Sequence, residues 1–303
     1  MALYALTIIY ALFVWWFSTG AILYLDGLPR STFRWSMLGA TALLAAALYG
    51  LAATANDTTV GGAFLAFSFG ILAWGWHEIS FLMGYVTGPR KSICPPEATG
   101  AKRFFFAVQT ILYHELAILA SAAAILALTW QGENFVGVGT FFTLWGMRLS
   151  AKLNLFLGVR NLGEKLLPES LLYLKSFMLK KPMNPLFPFS VTIATGIAVL
   201  LAASAISAPA GSFAASAFTF LATLMALAVL EHWFMVLPLP AEALWKWGMR
   251  SHEAHRPDKK QAGGQAGGRP GPPAFSHLGA ASASTSLPAR PVFGTAGAPP
   301  PGE

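Results

Sequence analysis

The sequence predicts an all-α integral membrane protein of about seven transmembrane helices, with a periplasmic N-terminus and a cytoplasmic C-terminus. Three observations carry that prediction. Of 303 residues, 55% are hydrophobic and 11% charged, where a soluble domain has roughly 45–50% and about 25%. Seven apolar runs are long enough to cross a bilayer core about 30 Å thick, which takes roughly 20 residues of helix. The basic residues, finally, are confined to alternate connections, to the end of the chain and to two positions inside one run.

The first run, 2–25, has no basic leader region and exceeds the apolar stretch of a signal peptide, so it is predicted to be a retained helix. The other six, 36–55, 60–86, 104–130, 135–159, 186–208 and 213–237, fall into pairs joined by the short turns NDTT, QGEN and PAGS. Turns that short make the flanking helices antiparallel neighbours, giving three hairpins. The longer connections carry Arg30 and Arg34, then Arg90, Lys91, Lys102 and Arg103, then Arg160, Lys165, Lys175, Lys180 and Lys181. More follow the last run, beginning with Lys246 and Arg250, while the three short turns carry none. Lys and Arg accumulate on the cytoplasmic side of a membrane, which sets the orientation and requires an odd number of crossings. The net charge of +7 therefore reads as topology, not as a nucleic-acid surface.

The remaining segments have their own signatures. Residues 160–185 are too charged to cross but keep Leu166, Leu167, Leu171, Leu172, Leu174 and Phe177, the pattern of an amphipathic helix on the cytoplasmic surface. Trp15, Trp16, Trp35, Trp130 and Trp233 lie near the ends of runs, as in interfacial belts. Residues 1–251 are read as the transmembrane domain. The Gly/Pro/Ala-rich stretch 252–303 is read as a disordered tail that cannot bury enough apolar surface to offset its ordering entropy. Cys94 is the single cysteine, which excludes an intramolecular disulfide. There is no Walker A loop, dinucleotide-binding glycine motif or CxxC pair.

The chemistry lies in residues placed where they are most costly. A charge at the bilayer centre carries about 2.5–3.5 kcal/mol on insertion scales, so such groups face the bundle interior and a partner. Three histidines each adjoin a glutamate: His77 with Glu78, His114 with Glu115, and Glu231 with His232. The fifth run adds Arg148 and Lys152, which share a helix face at i and i+4, with Asn154 nearby. Counted from the predicted ends, all of them fall in the cytoplasmic half of the bilayer, His77, His114 and Arg148 about 14–17 Å deep. Arg148 and Lys152 are the expected partners of the carboxylates. The six His and Glu residues are candidates for binding a pigment or another ligand, since a neutral imidazole can ligate the magnesium of a chlorophyll-type pigment. Carboxylate with imidazole also suits iron, manganese or zinc, with His77, His114 and His232 as the candidate ligands. Adjacent residues diverge by about 100° on a helix, however, and the Glu-x-x-His pairs of di-metal bundles are absent.

Long blocks of the chain resemble the photosynthetic complex assembly proteins of the PuhE type from purple phototrophic bacteria. The blocks include FSTGAILYLDGLPRSTFRWSMLGAT, WGWHEISFLMGYVTGPRK, LYHELAI, MRLSAKLNLFLGVRNLGEKLLPESLLYL, KKPMNPLFPFS and LEHWFMVLPLP, and the resemblance spans roughly residues 1–251. It implies a multi-pass protein of the bacterial inner (intracytoplasmic) membrane. It also implies a role in assembling the reaction centre and core light-harvesting complex and an influence on bacteriochlorophyll production. It implies no catalytic residues. The expected function is thus an assembly factor that handles bacteriochlorophyll or its precursors, with reaction-centre or light-harvesting subunits or pigment-synthesis enzymes as partners and no established enzymatic activity. Two alternatives are a metal-dependent oxidoreductase of pigment synthesis using the His/Glu residues, and a transporter relaying protons through Glu78, Glu115 and Glu231. The transporter lacks an evident inverted repeat.

Overall fold

Within a bilayer every backbone N–H and C=O needs a protein partner, and long apolar segments achieve this as helices. The computed structural model describes residues 1–254. Its long helices are α1 (Ala2–Asp26), α2 (Phe33–Ala53), α3 (Val60–Leu82), α4 (Gly100–Leu128), α5 (Val136–Leu157), α6 (Leu186–Ser207) and α7 (Phe213–Phe234), followed by a short α8 (Arg250–Ala254). Among the described residues there is no strand, only an isolated bridge between Val159 and Lys180.

Six of the long helices, all but α5, are long and apolar enough to cross a membrane. That differs from the seven expected, and the reason is chemical: Arg148 and Lys152 lie in α5 and dilute its hydropathy. By geometry α5 runs alongside the rest. At one end of the bundle, Asn134 beside the start of α5 donates its side-chain amide to Asp57 O (3.0 Å) and Gly62 O (3.1 Å) at the start of α3. Tyr4 in α1 donates to Ala205 O of α6 (3.0 Å) at that same end, which we call the turn end. At the other, the loop end, Leu23 of α1, Phe81 and Leu82 of α3 and Trp245 pack in one cluster with Leu171 and Leu174.

The most buried helices are α3 and α7. Ala63 and Ala66 of α3 and Ala217 of α7 are small enough to bring backbones close around the stacked rings of Phe67 and Phe220, whose centroids are 4.4 Å apart. Side-chain N-caps start two helices, Thr59 accepting from Gly62 N (3.0 Å) and Ser212 from Ala215 N (3.1 Å), while Asn134 and Asn184, each one residue further out, accept from Val136 N (3.2 Å) and Leu186 N (2.9 Å).

Helix α3 stops at Leu82, short of the expected 86, because Gly84 adopts φ +78. The Gly84 and Tyr85 amides return to Phe81 O and Ser80 O, a Schellman termination. The chain then lies against α4 in extended form. The carbonyl of Thr87 accepts from the His114 amide at 2.8 Å, and the Arg90 amide donates to Gln109 O at 3.3 Å. Contact is so close at Gly88 that a Cβ there would stand 2.1 Å from Gln109 O.

Residues 160–185 do not form the expected surface α-helix. They make two 3₁₀ segments, Glu164–Leu166, which follows Gly163 in the left-handed region, and Glu169–Phe177, which follows Pro168. Leu171, Leu174 and Phe177 are buried in protein instead of lying on lipid. Arg103 fastens the segment by donating to Phe156 O (3.3 Å) and Phe177 O, with its guanidinium 4.1 Å from the Phe156 ring centroid.

After α7 the chain returns along α1, with Trp16 donating to Leu244 O (2.8 Å), Trp245 to Trp16 O (3.1 Å) and Ser251 to Tyr24 O (2.8 Å). Residues 252–254, expected in the tail, belong to α8. The rest of the expected disordered tail lies outside the described residues.

Candidate functional site: a charged cavity at the loop end

Helices α1, α3, α4, α5 and α7 line, with the 160–180 segment, a half-open cavity of about 890 Å³ at the loop end. Ile71, Leu144 and Leu224 line its deep part, and Arg160 and Lys180 its rim. The charged band lies between. Glu78, Arg148, Lys152, Glu231 and His232 all face this space, and Glu115 does not.

The i, i+4 spacing of Arg148 and Lys152 lets α5 reach two helices at once. Arg148 Nη2 lies 2.6 Å from Glu78 Oε2 on α3, and Lys152 Nζ lies 2.5 Å from Glu115 Oε1 on α4. Trp145 Nε1 donates to the second oxygen of Glu115 at 3.3 Å. Among the described residues no cation lies within ion-pair distance of Glu231 on α7; its Oε1 accepts from Trp15 Nε1 of α1 at 2.8 Å.

The three histidines separate into two environments. His232 lines the cavity. Its Nδ1 lies 2.9 Å from Ala228 O, which can only accept, so Nδ1 carries the proton and Nε2 accepts from the Ser150 hydroxyl at 2.9 Å. His77 and His114 are buried behind the cavity wall with ring centroids 6.3 Å apart, His77 against Trp76 and Phe141 and His114 against Phe81. Among the described residues, both nitrogens of His77 and Nδ1 of His114 have no hydrogen-bond partner.

The distances to the helix ends differ from those counted in the sequence. With α3 ending at Leu82 and α4 beginning at Gly100, His77 is about 8 Å from its helix end and His114 about 21 Å from its own, at about 1.5 Å per residue. The extended chain after Leu82 makes up the stagger.

Asn154 takes no part in the cavity. It donates to Ser150 O (3.0 Å) and Ser190 Oγ (3.1 Å) and accepts from Asn184 (3.0 Å), tying the end of α5 to the start of α6. Among the described residues, no three His, Cys, Asp or Glu side chains gather as a metal site. The residues that sequence reasoning missed as site components are Trp15, Trp145 and Ser150. The indoles hold carboxylates and the hydroxyl holds an imidazole, and no spacing rule announces such contacts. One signal was available: three intramembrane glutamates against two cations leave one carboxylate to find another donor.

Fold and cavity together define a class, the all-helical membrane bundles that carry a ligand-sized, charge-lined chamber at one end. Residues 1–256 match DUF3623, described as a protein of unknown function, and the chain belongs to that family. It is also 44% identical over 249 residues to the "Uncharacterized 30.4 kDa protein in puhA 5'region" of Rhodobacter capsulatus, a match covering 80% of this chain and 89% of that protein. No solved structure matches it.

Proposed function

We propose that the protein is an assembly factor of the bacterial photosynthetic apparatus, residing in the inner membrane, which receives bacteriochlorophyll or a precursor in the loop-end cavity. The observation that carries the reading is the cavity itself. At about 890 Å³ it falls at the large end of ligand pockets, roughly 300–1,000 Å³, and its mostly apolar wall with a few placed polar groups suits a large lipophilic ligand. The resemblance to photosynthetic assembly proteins supports it, as does the relative whose name places its gene 5′ of puhA. Of the three histidines, His232 is the one that lines the cavity, and it is the magnesium ligand in this reading: Nδ1–H is oriented by a carbonyl, and turning the Ser150 side chain away would free Nε2. All seven long helices cross in this reading, with the loop end and its Lys and Arg residues cytoplasmic. The partners are reaction-centre or light-harvesting subunits, or enzymes that supply pigment.

Pigment analysis of the protein purified from a phototrophic host provides the test. Bacteriochlorophyll or a precursor should co-purify and be lost in His232→Ala while the variant still accumulates. A deletion strain with normal pigment and normal complex assembly would sink the proposal. The metal-dependent oxidoreductase loses support from the geometry, since His77 and His114 face each other away from the cavity and His232 stands apart.

A further inference from the structure

Charge accounting around the cavity singles out one residue. Glu78 and Glu115 are each held by a cation, whereas Glu231 meets a single neutral donor, the Trp15 indole. The pair Arg148–Glu78 is mutually neutralised, so among the described intramembrane residues Glu231 is the carboxylate of the cluster that no cation holds. Glu231 keeps exposed surface and lines the chamber, so its carboxylate is reachable from ligand space. A carboxylate in a low-dielectric chamber gains much from a donor and is penalised by an acceptor.

We propose that Glu231 is the recognition point of the cavity: the ligand is a bulky lipophilic molecule that presents a hydrogen-bond donor, an O–H or N–H, to its free carboxylate oxygen. An anionic or carbonyl group at that place is rejected. Trp15 fixes the carboxylate in position, and the apolar deep end takes the body of the ligand. The inference rests on reading the cavity as a pigment site, and the test keeps the two apart.

The full chain is reconstituted in lipid nanodiscs and titrated with two metal-free probes, bacteriopheophytin a and the alcohol obtained by borohydride reduction of its acetyl group. They share a macrocycle and tail and differ in presenting a carbonyl or a hydroxyl. The absence of magnesium removes any contribution from His232. Trp15, Trp74 and Trp245 line the chamber, so quenching of tryptophan fluorescence reports binding. The wild type should bind the alcohol about tenfold or more tightly, the value of a hydrogen bond to a charged group. Glu231→Gln, whose carbonyl oxygen still accepts from Trp15 while its NH2 puts a donor in place of the free oxygen, should abolish or reverse that preference by weakening the alcohol and strengthening the acetyl probe. Equal affinities in the wild type, or a preference that survives Glu231→Gln, would overturn the role of Glu231 and leave the pigment reading standing. Binding of neither probe would overturn the role of Glu231, and failure of magnesium-bearing bacteriochlorophyll a to bind in the same nanodiscs would overturn the pigment reading as well.

Discussion

Lys152 and Glu115 illustrate how each charged residue in these helices depends on one other. Their side chains are both about one-fifth exposed, at 19% and 22%, so removal of either strands its partner in a poorly solvated place. Lys152→Met is expected to cost roughly 3–5 kcal/mol and to cut accumulation in the membrane, because an unpaired buried charge is left behind. The double variant Lys152→Met with Glu115→Gln should recover most of the loss, which immunoblotting of membranes would show. His77 makes the opposite case. It is fully buried with both ring nitrogens unpartnered, a cost of about 1–3 kcal/mol for each unsatisfied group. His77→Leu is therefore expected to leave the Tm of the purified protein unchanged or raised, and a large fall would show that the imidazole makes a stabilising contact. His77 and Glu78 are neighbours in sequence, yet one is walled off and the other lines the chamber. Depth along a helix can be counted from its ends, but rotation about the axis decides which of two adjacent residues meets the cavity, and packing alone sets that rotation.

At the scale of elements, the apolar runs were readable because a bilayer imposes the helix on them, and their short turns fixed which helices are neighbours. The end of α3 was misjudged even though Gly84 carried the signal of a helix stop, since Tyr85 and Val86 continue the apolar pattern that the count followed. The 3₁₀ segment Glu169–Phe177 was misjudged for a different reason. An amphipathic pattern states that one face is buried, without naming lipid or protein as what covers it. The contact of the loop after α3 with α4 is a sharp structural requirement. Gly88→Ala forces a methyl group to within 2.1 Å of the Gln109 carbonyl oxygen, and the backbone must separate. The expected cost is about 1–3 kcal/mol, typical of overpacking, seen as a lowered Tm together with faster proteolysis between residues 84 and 99.

For the whole molecule, the proposed sidedness has a direct check. Cys94 is the single cysteine, and its backbone amide donates to Ser176 Oγ at 2.7 Å, which places the third connection beside the fifth. A membrane-impermeant maleimide should label Cys94 in inverted vesicles and not in spheroplasts. A cysteine placed at Lys180 in a Cys94→Ser background should behave identically, whereas opposite labelling would mean that α5 does not cross. The ion pairs of α5 also bear on how the chain enters the membrane. The glutamates on α3 and α4 are synthesised before the arginine and lysine on α5, so the acceptors are in place when a helix too polar to partition unaided leaves the ribosome. In the proposed topology with α5 crossing, the pairing implies an order of events in which the third and fourth helices are the insertion template for the fifth.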